Sequence, residues 1–291
     1  MKICIHGRYF SQDTQKILKA LIQEKNRFNF ELAFTGTFYK LVSKYFEECK
    51  NYSHADSREK LAEFDIMISI GGDGTLLETV TITGKLQQPI LGINTGRLGF
   101  LTSASDKNIE QVMNDLFNKK FTLDERALIR LDSDVNPFGE INFALNEVAI
   151  LKSDSSSMIT VNAYIDDKFL NSYWADGLVV STPTGSTGYS LSCGGPVVVP
   201  RSNNFIITPI GAHNLSVRPI VVSDQSRISF EIESRSGQFL VSLDSRSHTF
   251  HEKKPISIRR ESFTAKLIKF TDYNYFDTLR KKLNWGLDVR N

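Results

Sequence analysis

The apolar residues of this 291-residue chain change their spacing near Phe121, and that change limits the possible folds more than any other feature. Before it, short continuous apolar runs alternate with helical stretches. The runs 2–6 and 30–34 predict strands, and 11–25 predicts a helix with Ile17, Leu18, Leu21 and Ile22 on one face. Runs 66–70 and 90–93 are almost wholly apolar, as strands covered on both faces must be. Strand, helix, strand in succession implies a mainly parallel sheet. Ile109, Val112, Met113, Leu116 and Phe117 then predict a helix over 106–118 with one buried stripe. Beyond Phe121 the period becomes two. Ile159, Val161, Ala163 and Ile165 alternate with Thr160, Asn162 and Tyr164, and Asp166-Asp167 is a turn before Phe169 and Leu170. Similar runs at 227–232, 239–243, 256–260 and 263–270 complete the expectation. It is an α/β N-terminal domain with a mainly parallel sheet over 1–105, then an all-β, sandwich-like domain over 106–270. A C-terminal helix over 271–291, with Phe276, Leu279 and Leu283 on one face, is expected to pack back on the first domain.

Composition excludes several classes of partner. A formal net charge of +2 gives no basic field for a nucleic-acid backbone, so a small anionic partner is expected instead. No apolar run approaches the roughly 20 residues that span a bilayer, and the first ten residues lack the apolar centre of a secretion signal. No membrane association and a cytoplasmic location are therefore expected. Cys4, Cys49 and Cys193 are scattered and odd in number, which suggests reduced thiols rather than a disulfide or zinc framework.

The most informative stretch is Gly71-Gly72-Asp73-Gly74-Thr75, between the apolar run 66–70 and a helical run over 76–83. Glycines let a backbone turn sharply and approach a ligand without Cβ interference. A helix that starts there offers free N–H groups and a positive dipole end to phosphate. It is neither a Walker A loop, because no Lys-Ser/Thr pair closes it, nor a GxGxxG motif. Asp73 is a poor choice if the turn only holds phosphate, but a sound one if a carboxylate must take a hydroxyl proton or orient a metal's water while amides hold the transferring group. The bland alternative is an Asp that stabilises a turn.

Gly-Gly-Asp-Gly-Thr resembles the motif shared by NAD kinases, the diacylglycerol and sphingosine lipid kinases and, more loosely, phosphofructokinases. The next strand, Leu91-Gly92-Ile93-Asn94-Thr95-Gly96-Arg97-Leu98-Gly99-Phe100-Leu101, is similar to the NAD kinase form, and the GTGND stretch typical of lipid kinases is absent. Asn146-Glu147 places two polar residues in the apolar run 143–151, where NAD kinases carry an Asn-Glu pair. Most specific is Thr182-Pro183-Thr184-Gly185-Ser186-Thr187-Gly188-Tyr189-Ser190, similar to the family's TPTGSTAY segment at every position but one. Pro209 to Val221, with His213, Leu215, Arg218 and Pro219, resembles the family's His-x-Leu-x-x-Arg-Pro segment, although a lone histidine there also reads as structural. His248-x-x-His251 has a possible metal spacing without a third ligand, and reads as a solvated turn.

The resemblance implies an NAD kinase that transfers the γ-phosphate of Mg²⁺-bound ATP to the 2′-hydroxyl of the adenosine ribose of NAD. Asp73 would be the base and Gly71, Gly72, Gly74 and Thr75 the phosphate cradle. Asp73, Gly74, Phe100, Asn146, Glu147, Asp176, Thr184, Thr187, Gly188, Tyr189, Ser192 and Asp244 would bind NAD, with Asp176 on the nicotinamide side. No metal-ligating side chains are expected, and the family's homodimers and homotetramers are implied. Three departures stand out: Gly188 replaces the usual Ala, Trp174 replaces an Arg of many bacterial members, and Asp244-Ser245 replaces Asp-Gly. A lipid kinase and a catalytically silent NAD- or NADP-binding sensor are the competing readings.

Overall fold

The computed structural model describes residues 1–96, 99–104, 108–154, 157–251 and 255–286. The chain divides into two compact units, residues 1–125 with 265–291, and residues 126–264.

The first unit is built on a parallel sheet. Its strands run Ser53–Ala55, Glu31–Thr35, Lys2–Gly7, Ile66–Ile70, Ile90–Ile93, and last the end of Ile256–Phe270, where Leu267 pairs in parallel with Ile90. Ile3, Ile5, Ile68 and Leu91 are fully buried in it, as their unbroken apolar runs require. Helix Gln12–Phe28 begins where the Ser11 hydroxyl accepts from the Thr14 amide, and stops at Asn29 in the left-handed region. Helix Ile109–Phe117 is capped in the same way by Asn108. The expected start of that helix at Asp106 lies outside the described residues. The helix belongs with the first unit and not with the β-rich part: Phe117 stacks on Phe28 with ring centroids 4.4 Å apart, and Arg27 reaches Glu110 at 2.9 Å. The unit is therefore larger than the expected 1–105. The last helix, Tyr275–Leu283, also groups with this unit, but of its expected apolar face only Leu279 is buried, Phe276 remaining half-exposed. Helix Gly36–Tyr45 and strand Ser53–Ala55 have no counterpart in the sequence expectations.

The second unit is all β. One antiparallel sheet orders Ile220–Ser223, Asn204–Ile210, Gly177–Ser181, Glu147–Lys152, Gln238–Leu243 and Arg246–His251. A second antiparallel set places Lys168–Ala175 beside Ile159–Ile165, then Ile228–Glu233, then the start of Ile256–Phe270. Inward residues of both, among them Val161, Phe230, Ile150, Val180, Ile207 and Val241, form one core, as in a sandwich. The hairpin at Asp166-Asp167 has positive φ at both residues (48° and 63°), the geometry of a two-residue hairpin turn.

Three expectations change here. The runs 256–260 and 263–270 form one strand, because Glu261 and Ser262 continue the ladder. The run 143–151 is two strands, Phe143–Ala144 and Glu147–Lys152, parted at Leu145-Asn146. His248 and His251 lie on the edge strand Arg246–His251 rather than in a turn, and the His248 ring meets Phe138 edge-on at 4.7 Å.

Candidate functional site

In the first unit, the strand Ile66–Ile70 delivers the chain to Gly71, whose φ of 153° belongs to glycine and whose Cβ, if present, would overlap Thr75. Helix Asp73–Thr83 begins at once, with Gly72 as its N-cap, and is tied to the strand by a hydrogen bond from Thr79 Oγ1 to Ser69 Oγ at 3.0 Å. Asp73 thus occupies the first helical position rather than a free turn, where the positive end of the helix favours a carboxylate. Gly72 and Gly74 have nothing within 4 Å of where a Cβ would stand, so their backbone is open to a ligand. Gly71, Gly72, Gly74 and Thr75 line one wall of a cavity of about 470 Å³.

The Asp73 side chain is held by the loop that follows Ile90–Ile93. Its Oδ2 accepts from the Phe100 amide at 2.8 Å and its Oδ1 from the Leu101 amide at 3.1 Å. Phe100, expected to touch NAD, therefore serves Asp73 through its backbone. Gly99 is the residue that permits this seat, since a Cβ there would overlap Asp73 Oδ1. The loop is itself anchored. Buried Lys269 donates to the Leu101 carbonyl at 2.8 Å, and Ser103 Oγ donates to the Ile268 carbonyl at 2.6 Å. Neither Gly99 nor Lys269 was singled out in the sequence. Gly99 carried a signal in its place after the Gly96 turn, whereas Lys269 looked like one more charge on a strand. Arg97 and Leu98 of this motif lie outside the described residues.

In the second unit, the strand break at Leu145-Asn146 has a clear cause. Asp244, at φ 52°, aims its carboxylate at three successive amides: Leu145 (2.9 Å), Asn146 (2.8 Å) and Glu147 (3.2 Å). Those N–H groups thereby lose their ladder partners and gain an anionic one. Burial raises the Asp244 carboxyl, while the three amides and Arg246 favour its charged form. Glu147 is pushed up to about 8, first by burial and then by the charge of Asp244 beside it, so near neutral pH it is mainly a neutral acid. Its Oε2 is buried without a hydrogen-bond partner.

The Thr182–Ser190 segment folds onto the same break. Thr182 donates to the Leu145 carbonyl at 2.6 Å, and the Thr182 amide to the Asn146 carbonyl at 2.8 Å. Many of its hydroxyls are consumed internally. Ser186 bonds Pro183 and Val198, Ser190 bonds Thr208, and buried Thr184 accepts from Arg126 at 3.1 Å. What remains toward solvent is Thr187, Gly188, Tyr189 and Ser192. Burial, then Cys193, Asp176 and Glu147 nearby, push the Tyr189 phenol up, which marks these side chains as electrostatic neighbours. A methyl on Gly188 would stand 3.3 Å from Glu147 Oε2, so the missing methyl relieves a tight contact. Asp176 pairs with Lys152 at 2.6 Å, and Trp174 leans on His213 with ring centroids 4.4 Å apart. Lys152 was another residue that sequence reasoning passed over.

Each unit thus brings one cluster together: Gly71 to Thr75 with Phe100 in the first, and Asn146, Glu147, Thr184 to Ser192, Asp176 and Asp244 in the second. A parallel sheet that ends in a Gly-Gly-Asp-Gly-Thr helix start, joined to a β sandwich with a glycine- and hydroxyl-rich segment, places the chain among the two-unit kinases of that motif. Comparison with known proteins narrows this class. Residues 11–121 match the family described as ATP-NAD kinase N-terminal domain, and residues 145–270 that described as ATP-NAD kinase C-terminal domain. The NAD kinase of Cytophaga hutchinsonii is 49% identical over the full length of both chains, and that of Christiangramia forsetii 40%. An NAD kinase from Archaeoglobus fulgidus, solved in complex with ATP, superposes with a TM-score of 0.76 at 29% identity, over 98% of this chain and 99% of that one. Yeast NADH kinase complexed with NADH shares the fold, with a TM-score of 0.88 at 23% identity, over 100% of this chain and 89% of that one. The chain belongs to the NAD kinase family.

Proposed function

We propose that the protein phosphorylates NAD, using ATP, to give NADP. The observation that carries this reading is the Asp73 carboxylate, held by two amides at the start of a helix whose neighbouring glycines line an open cavity. In the reaction, Asp73 takes the proton of the adenosine 2′-hydroxyl, that oxygen bonds the γ-phosphorus of ATP, and the bond to the ADP oxygen breaks. Phosphoryl transfer is mainly positioning and charge stabilisation, which suits backbone amides at Gly71, Gly72, Gly74 and Thr75. The divalent cation, Mg²⁺, enters with ATP as part of the substrate. Among the described residues no cluster of three His, Cys, Asp or Glu side chains is arranged to hold a metal by itself.

On the acceptor side, we assign Asn146, Thr187, Gly188, Tyr189 and Ser192 to the adenosine end and Asp176 to the nicotinamide end. Asp244 and Thr184 act behind them, one holding the amides of residues 145–147 and the other joined to Arg126. Glu147, as a neutral acid, can donate a hydrogen bond to a ribose oxygen. The exposed apolar Trp174 and Leu215 of the second unit support association of copies into a homo-oligomer. The full-length similarity to proteins named NAD kinase supports the substrate pair.

The test is an NADP-formation assay with NAD and Mg²⁺–ATP, run on the wild type and on Asp73→Asn. The wild type is expected to make NADP and the variant to lose about 10²- to 10⁴-fold in kcat, the range for general-base help. A loss under about tenfold in a folded variant would remove the base from the scheme.

A further inference from the structure

The cavity in front of the glycine turn has a second wall that the Gly-Gly-Asp-Gly-Thr motif does not supply. Lined also by Arg8 and Thr14, it receives them from the end of strand Lys2–Gly7, which pairs in parallel with Ile66–Ile70, and from the start of helix Gln12–Phe28. At about 470 Å³ the space falls within the roughly 300–1,000 Å³ of small-molecule sites. Among the described lining residues Arg8 is the single cation, and no described carboxylate lies within 4 Å of it. Its guanidinium stands over the Tyr9 ring, 5.5 Å from the centroid. The acids nearby have other partners in contact. Asp13, on the same rim, is 3.2 Å from Lys16. Glu78 is 3.7 Å from the buried His6, which is its main influence, Arg8 acting on it more weakly.

An arginine with no acid in contact, lining the same cavity as open backbone at a helix start, matches the chemistry of an oxyanion. Its planar fork of donors suits two phosphate oxygens at once, and the helix start adds N–H groups from the other side. We propose that Arg8 is a donor-binding residue, whose guanidinium holds the phosphate chain of the nucleoside triphosphate against the 71–75 turn. This rests on the reading of the protein as an ATP-dependent kinase. It adds a side chain to a phosphate site otherwise made of backbone, and it charges the donor side while leaving the acceptor side untouched. A positive group there also draws electron density from the phosphate chain as the bond to ADP breaks.

Arg8→Ala and Arg8→Lys in the full chain test it, with initial rates measured against Mg²⁺–ATP and against NAD, and calorimetric titration with inorganic tripolyphosphate. Arg8 is exposed, so neither variant should disturb the fold. Loss of a hydrogen bond to a charged group predicts that Arg8→Ala raises KM for ATP by about tenfold to a hundredfold, with KM for NAD unchanged. Arg8→Lys, which keeps the charge and loses the fork, should recover part of the loss, and tripolyphosphate affinity should fall in parallel. An active Arg8→Ala enzyme with wild-type KM for ATP and wild-type tripolyphosphate affinity overturns the proposal, as does an equal rise in both KM values with a lowered Tm. If the wild type makes no NADP but binds tripolyphosphate in an Arg8-dependent way, the kinase reading fails and the anion site stands.

Discussion

One methyl group at Gly99 would occupy the place where Asp73 Oδ1 accepts its hydrogen bond. Gly99→Ala should therefore displace the carboxylate without touching either substrate, lowering kcat with both KM values and the far-UV circular dichroism unchanged. The size should approach that of Asp73→Asn, about 10²-fold or more, if the position of the base is what matters. Glu147 offers a different residue-scale test. Its folded pKa of about 8 lies above the ordinary carboxyl value of 4.5, so the folded protein holds a proton that the unfolded chain releases. Its contribution to stability is fully present below about pH 4.5 and is lost as pH rises through about 8. Tm of the wild type should fall relative to Glu147→Gln between pH 5 and pH 9, at roughly 2–4 °C for each kcal/mol lost. Parallel Tm curves for the two proteins across that range would show that Glu147 does not ionise there. Both residues were visible in the sequence, but not what they do. The seat at Gly99 and the charge state of Glu147 arise from groups distant along the chain.

At the scale of the element, the end of strand Ile256–Phe270 does two things in the first unit. It extends the parallel sheet beside Ile90, and it places Lys269 under the loop that seats Asp73. Lys269→Met keeps the length of the side chain and leaves the buried Leu101 carbonyl without this donor. A buried acceptor left unpaired costs about 1–3 kcal/mol, so the variant should melt several degrees lower and lose part of its kcat. Unchanged melting and kinetics would mean that the loop holds itself. Strands Ile66–Ile70 and Ile90–Ile93 were legible because burial on both faces leaves an unbroken apolar run, and Ile159–Ile165 because alternation marks one buried face. The strand break at Leu145-Asn146 was not legible, because its cause is a carboxylate at Asp244, in another strand's turn. The helix start at Asp73 was hidden for a local reason, since two of its first residues with Gly72 read as a turn. Arg8 gave no signal at all: a lone arginine acquires meaning only when the fold brings it to the cavity that Gly72 lines.

For the whole molecule, the first unit is discontinuous and the second is not. The chain leaves the first unit at Glu125 and returns at Ala265, crossing over inside the two long strands Phe121–Ser133 and Ile256–Phe270. Truncation after Thr264 should therefore damage the N-terminal half more than the part nearest the cut. It removes the strand beside Ile90 and the buried Ile268 and Phe270, which belong to the N-terminal core. Hydrogen exchange should show amides of Ile66–Ile70 and Ile90–Ile93 losing protection while those of Val161 and Ile207 keep theirs. The sequence's change of period located the β-rich region, but a return to the first sheet after so long an excursion leaves no local trace.

The late return also governs how the protein emerges from the ribosome. The nascent N-terminal segment can pair the Gly92 carbonyl with its own Ser103 and Ala104 amides, but the Ile90 end of that edge must wait until the stretch beginning at Ala265 has been translated. At roughly 5–20 residues per second that interval is on the order of ten seconds. Throughout it the Ile90 end of an apolar strand presents unpaired backbone to any passing chain. The contiguous β unit, by contrast, is complete once Thr264 is made and needs no segment translated after it. Translation stalled inside the β unit should thus yield an aggregation-prone N-terminal half attached to an incomplete sandwich, and chaperones should be found on the former.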